Sequence, residues 1–150
     1  MLGTLHANNA NQAVERVLNF FPAEMHAQLY QQLALNLRGI VSQRPVPKAD
    51  GKGRVAAIEV MLNSPRVADL VSKGEIAALK GAIEANAQDG SRSFDHALYE
   101  LHRTGQIALD EAIRQADSAN NLRLKIKMGN VSSDSIDRPK FSLKSDEKAA

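Results

Sequence analysis

The sequence has no cysteine in its 150 residues, which excludes a disulfide framework and thiolate metal sites and fits a reducing compartment. No apolar run approaches the roughly 20 residues a membrane-spanning helix needs. The first residues also lack the basic, apolar and cleavage-site pattern of a secretory leader, so no membrane insertion is expected. Charge of one sign is scarce too: 19 basic against 17 acidic residues leave a net charge of +2. The two signs are interspersed without a basic stripe, so nucleic acid is not expected as a partner although the pI is about 9.0. No internal repeat occurs. Also missing is a phosphate loop, G-x-x-x-x-G-K-[ST], whose backbone N–H groups, lysine and hydroxyl would hold phosphates and magnesium. The nearest string, Gly51-Lys52-Gly53, lacks the first glycine and the hydroxyl. No paired-carboxylate segment follows an apolar strand. A complete nucleotide-hydrolysing site is therefore not encoded here, and no catalytic residue is assigned. No metal site is assigned either, because His96 and Glu100, four residues apart, have no further ligand beside them. His26 and His102 are expected to face solvent.

What is present is enough for a folded core. Hydrophobic residues make up 43% of the chain, and a domain of this length buries about 70% of its unfolded surface. Ala10, Ala13, Val14, Val17 and Leu18 recur at three- and four-residue steps, which predicts a helix over residues 9–19 capped by Asn8 or Asn9 and stopped by Pro22. Met25, Leu29, Leu33 and Leu37 form the stripe of a second helix that ends near Gly39. Residues 40–46 and 54–62 read as a β-hairpin about the turn KADGKG, residues 48–53, with glycines for its positive backbone angles. Pro45 and Pro47 lack an N–H and mark the first strand as a short edge strand.

From Ser64 the pattern turns helical. Ser64-Pro65 is a cap followed by a first-turn proline, and this short helix stops at Gly74. Further helices carry Ile76, Leu79 and Ile83, then Phe94, Ala97, Leu98 and Leu101 up to Gly105, then Leu109, Ala112, Ile113 and Ala116. Leu122, Leu124 and Ile126 alternate with Arg123, Lys125 and Lys127, which predicts a short strand or extended arm. Beyond Met128 the serines and mixed charges leave little to bury, and a disordered tail is expected. A helix-turn-helix DNA reader over residues 94–116 is disfavoured by Asp110, Glu111 and Asp117, which would repel phosphate.

Three stretches carry a family resemblance: TLHANNANQA (residues 4–13), SPRVADLVSKGE (64–75) and FDHALYELHRTGQIALDEAIRQADSANNLRLKIK (94–127). Together they resemble the secretion and type IV pilus ATPases, specifically the C-terminal portion of the twitching-motility PilT/PilU branch, with PilU the better fit. The first stretch is similar to that family's histidine box. There the histidine ends a core strand near the terminal phosphate and couples nucleotide state to the subunit, a role the resemblance carries to Thr4 and His6. On residue type alone His6 reads as a structural histidine at a strand–helix junction. The second stretch lies at the retraction motif usually written AIRNLIRE. Pro65, Val67, Asp69, Leu70 and Val71 fit it, whereas Ala68 and Ser72 replace its arginines and Lys73 its glutamate. In the third, Ala108 stands where relatives tend to have a capping serine, with Asp110 as the alternative cap.

The resemblance implies an α/β remnant plus a mainly α part. Residues 1–63 would be the C-terminal part of a RecA-like core (a strand at 2–5, two helices and the hairpin), 64–128 a helical C-terminal domain, and 129–150 the tail. It implies a cytoplasmic motor at the inner-membrane face of the pilus base, a hexamer using ATP and magnesium to drive retraction. Neither cofactor is expected on this chain alone, which is expected to be inactive by itself. The implied partners are a full-length retraction ATPase and inner-membrane pilus-base proteins, in a homo- or hetero-oligomer. The competing reading is an autonomous interaction module that docks on such a motor or on a pilus-base protein. Under the family reading, the edges of the strand at 2–5 and Phe20 and Phe21 should be exposed.

Overall fold

Helix α1, Ala10–Asn19, forms where the apolar spacing predicts it, and the Asn9 side chain caps it by accepting from the Gln12 N–H at 2.9 Å. Ala10, Val14 and Leu18, each four residues on, are buried along one face. These positions come from a computed structural model that describes residues 2–134. After a 3₁₀ turn, Ala23–Met25, helix α2 spans His26–Asn36. Its Leu29, Leu33 and the following Leu37 are half-buried against the core. The Asn63 amide closes its C-terminal end by donating to the Ala34 and Leu37 carbonyls at 2.9 and 2.8 Å.

Strands β1, Gly39–Pro47, and β2, Arg54–Leu62, pair antiparallel from Gly39 opposite Leu62 to Pro47 opposite Arg54. The turn uses positive φ at Gly51 (70°) and Gly53 (87°), a region closed to most other residues. The Lys48 N–H donates to the Gly53 carbonyl. Because paired residues alternate between bonded and non-bonded, Pro45 and Pro47 fall where an N–H would point away from β2. Both prolines thus lie on the outer edge without interrupting the ladder, although at nine residues β1 is longer than the short strand expected. On the far edge of β2, Val60 exchanges backbone hydrogen bonds with Arg92 at 2.8 and 2.7 Å.

The remaining elements are helical: α3, Pro65–Ser72; a 3₁₀ turn, Ile76–Ala78; α4, Leu79–Ala85; a 3₁₀ turn, Ala87–Asp89; α5, Phe94–Arg103; α6, Leu109–Gln115; and α7, Ala119–Asp134. Ser64 and Ser93 cap α3 and α5 by accepting from the Val67 and His96 N–H groups. Gly74 ends α3 with φ 72°, and a Cβ there would lie 3.2 Å from the Tyr30 ring, so both backbone and space call for glycine. One core gathers α1, α3 and α4 around Met61 of β2. The other gathers α5, α6 and α7 around Val46 and Ala57 of the hairpin.

Three expectations are corrected. Residues 2–7 have no regular secondary structure. A strand exists only by pairing, and the sheet of the described residues contains β1 and β2 alone. Leu2 is 96% exposed. The expected strand or arm at 122–127 is instead part of α7. Leu122 and Ile126, four apart, are buried on one helical face while Leu124 between them is exposed, so the four-residue period prevails over the two-residue alternation. Of the expected tail, residues 129–134 continue α7, and 135–150 lie outside the described residues.

Candidate functional site

The residues singled out by sequence fall into two separate places. Thr4 and His6 lie in the irregular, exposed N-terminal segment just ahead of α1. In α3, Val67, Leu70 and Val71 point into the core, while Pro65 and Asp69 face solvent. Asp69 pairs with Lys73, one helical turn on, at 2.7 Å, and this contact, more than any other, holds the Lys73 ammonium above its ordinary pKa. Gly51-Lys52-Gly53 is a hairpin turn, in which the Asp50 carboxylate accepts from the Lys52 N–H at 2.8 Å. Lacking the strand-to-helix setting of a phosphate loop, this turn does not fit a nucleotide.

His26 and His102, expected to face solvent, are half-buried instead. Each ring has a backbone carbonyl within reach, Phe21 O at 3.0 Å and Ile107 O at 3.4 Å. Both rings turn back on the chain at the end of an adjacent turn. Among the described residues no three histidine, aspartate or glutamate side chains are placed to hold a metal ion.

The structure reveals a junction that sequence reasoning missed. Glu59 of β2 is only 3% exposed, and its Oε1 accepts from the Ala10 N–H at the start of α1 at 2.7 Å. Burial raises its pKa above the ordinary glutamate value. Nearby Asp117 adds to that rise, while the Ala10 N–H and Arg44 oppose it. Arg44 of β1 lies over the Phe94 ring, 4.4 Å from its centroid. The same guanidinium donates to the Gln115 carbonyl, to Asp117 Oδ1 at 3.2 Å and to the Asn8 carbonyl at 3.4 Å. Asp95, at the start of α5, binds Lys80 at 2.9 Å and accepts from the Asp117 and Ser118 N–H groups. The turn after His6, the hairpin and the α6–α7 connection are thus tied by two charged side chains of adjacent strands. A readable signal existed for Glu59: it stands between Ala57 and Met61 on the strand's inward face, where a charge must find a partner.

This arrangement holds no nucleophile–base pair. Its contacts join the segment that follows His6 to the hairpin and to the α6–α7 connection.

Comparison with known proteins gives the linkage a setting. No family model matches the chain. It is 53% identical over 131 residues to the type IV pilus ATPase PilU of Pseudomonas aeruginosa, covering 87% of this chain and 34% of that protein. Identity to the type IV pilus retraction ATPase PilT of the same organism is 32% over 121 residues, covering 81% and 35%. Among solved structures, the pilus retraction motor PilT with bound ADP superposes with a TM-score of 0.70 at 28% identity, over 81% of this chain and 34% of that one. The fold is that of the C-terminal region of a RecA-like secretion ATPase. The chain belongs to the PilT/PilU family of type IV pilus twitching-motility ATPases, of which it represents a C-terminal portion. It spans about a third of the length of the curated relatives it matches.

Proposed function

We propose that this chain supplies the histidine-box turn, the hairpin and the helical region of a type IV pilus retraction ATPase. Residues 1–63 belong to the motor core and 64–128 form a helical C-terminal domain. The observation that carries the reading is the extended identity to PilU over 131 residues. The whole motor hydrolyses ATP with magnesium as a hexameric ring in the cytoplasm, at the inner-membrane face of the pilus base, and its partners are full-length retraction ATPase subunits and pilus-base proteins. No helix among the described residues is long and apolar enough to cross a membrane.

Within that assembly Thr4 and His6 form the sensing end. Displacement of the 4–9 segment is passed on through two contacts, Glu59 to the Ala10 N–H and Arg44 to the Asn8 carbonyl. Arg44 in turn grips the α6–α7 connection. The retraction-motif positions work mainly through a buried face, because Val67, Leu70 and Val71 are internal.

Residues 1–150 do not turn over ATP by themselves, since the sequence encodes neither a phosphate loop nor the acidic segments that hold magnesium. Purified chain should show no magnesium-dependent ATP hydrolysis; turnover that persists through repurification would overturn this reading. Exposed Leu2, Phe20 and Phe21 favour a second reading, a module that docks on a motor through this apolar end. Mixed with a full-length motor of the family, the chain co-migrates under the docking reading and runs alone otherwise.

A further inference from the structure

Between α4, α5 and α7 lies a cavity of about 380 Å³ whose walls include Arg92, His96, Asn121 and Lys125. Its donors exceed its acceptors. Arg92 makes no side-chain hydrogen bond or ion pair among the described residues, and its Nε is buried without a partner. A buried donor left open is costly and uncommon in folded proteins. Lys125 Nζ lies 2.8 Å from His96 Nδ1, so the ammonium donates to a neutral imidazole, and it also stands 5.5 Å from the Tyr99 ring centroid. The neighbouring acids are largely committed elsewhere. Asp95 binds Lys80 and two backbone N–H groups, and Glu100 binds Arg103 at 2.7 Å. Glu84, exposed on the rim, is the one lining carboxylate left against two cations.

We propose that this cavity is a binding site for a tetrahedral oxyanion of the phosphate class, inorganic phosphate or a phosphomonoester, held by Arg92 and Lys125 with Asn121 as a neutral donor. The donors come from the turn before α5 and from α7, on different walls. A tetrahedral dianion offers acceptors in every direction, whereas a planar carboxylate offers fewer and carries half the charge. His96 is the proton-linked member. Burial first, then Lys125 and Arg92, hold its pKa below the ordinary histidine value, with Glu100 opposing. A bound dianion draws Lys125 toward itself and favours imidazolium, so binding and protonation of His96 reinforce each other. The proposal does not depend on the pilus-motor reading.

The test is an NMR titration of the full chain at low ionic strength, following the His96 ring. The first probe is sulfate, whose charge is constant across the neutral range. A saturable shift is expected, with affinity falling by up to about tenfold as pH rises from ~5 to ~8, because the complex binds the His96 proton more tightly. R92Q and K125Q, the second on an exposed position, should each weaken binding about tenfold, as for loss of one charge-assisted hydrogen bond. Inorganic phosphate and glycerol phosphate then distinguish a free ion from an esterified phosphate by their relative affinities at fixed pH. A response that never saturates, or a saturable one that both variants leave unchanged, overturns the site. Equal sulfate affinity at the two pH values overturns the role given to His96.

Discussion

The two cores lie toward opposite ends of one hairpin and are closed by different means. Around Met61 the filling is aliphatic: Val14, Leu18, Val67, Leu70, Val71, Leu79 and Ile83. Helices α1 and α3 bring their own caps, Asn9 and Ser64. Around Ala57 the large side chain is Phe94, and the seal is polar. Arg44 covers the ring, Asp95 holds Lys80 and the 117–118 backbone, and Glu111 pairs with Arg114 while accepting from Gln115. Helix α6 starts at Ala108 with no side-chain cap, and the connection before α7 takes its acceptor from Asp95 on another helix. Helices that carry their own caps, α1 and α3 in the first core and α5 in the second, can be altered one at a time. The Arg44 and Asp95 contacts, which borrow partners across elements, respond as a unit.

That contrast can be broken most directly at its largest side chain. Phe94→Ala should cost about 3–5 kcal/mol by urea denaturation, and it also removes the surface on which Arg44 rests. Leu79→Ala, in the aliphatic core, should cost about 2–5 kcal/mol. In a double-mutant cycle with Arg44→Met, however, only the Phe94 change should show coupling. Asp95→Ala leaves Lys80 and two backbone N–H groups without an acceptor and should cost about 2–3 kcal/mol. A loss below 0.5 in that assay would mean that the borrowed contacts add little.

Smaller effects sharpen the comparison. Ala108→Ser restores a cap acceptor at α6 and should stabilise by about 1 kcal/mol, visible as a higher denaturation midpoint at unchanged slope. At Glu59 the sign follows from its raised pKa. The protonated form favours the fold, so its contribution is complete below the unfolded pKa and is lost as pH climbs through the higher folded value. Glu59→Gln keeps an acceptor for the Ala10 N–H and removes the charge. Thermal melts across pH should therefore show the variant gaining on the parent as pH rises from mildly acidic to neutral.

Much of this fold is legible in the sequence because its signals are local. Asn9, Ser64-Pro65, Gly74 and the 48–53 turn act within a few residues of themselves, and the corresponding elements form where they are expected. Local signals failed where pairing or competition decides. Leu2 and Leu5 suit a strand but have no neighbour to pair with among the described residues, and Leu122 and Ile126 satisfy two periodicities of which the helix buries the better pair. The Arg44–Glu59 junction joins residues separated by 36 to 73 positions along the chain. Only the inward parity of Glu59 hints at it, and nothing local marks Arg44.

The placement of Pro45 and Pro47 has a consequence for how this sheet can grow. Further strands cannot form a regular ladder along that half of β1, and on the opposite side Arg92 already occupies the position at Val60. The other half of β1, Gly39 to Gln43, carries no proline, and on β2 the stretch left beside Arg92 lies at Ala56 and Ile58, so any further strand is confined to one of two short stretches. Stretches that short leave little backbone for a long, regular ladder to extend from this two-stranded platform.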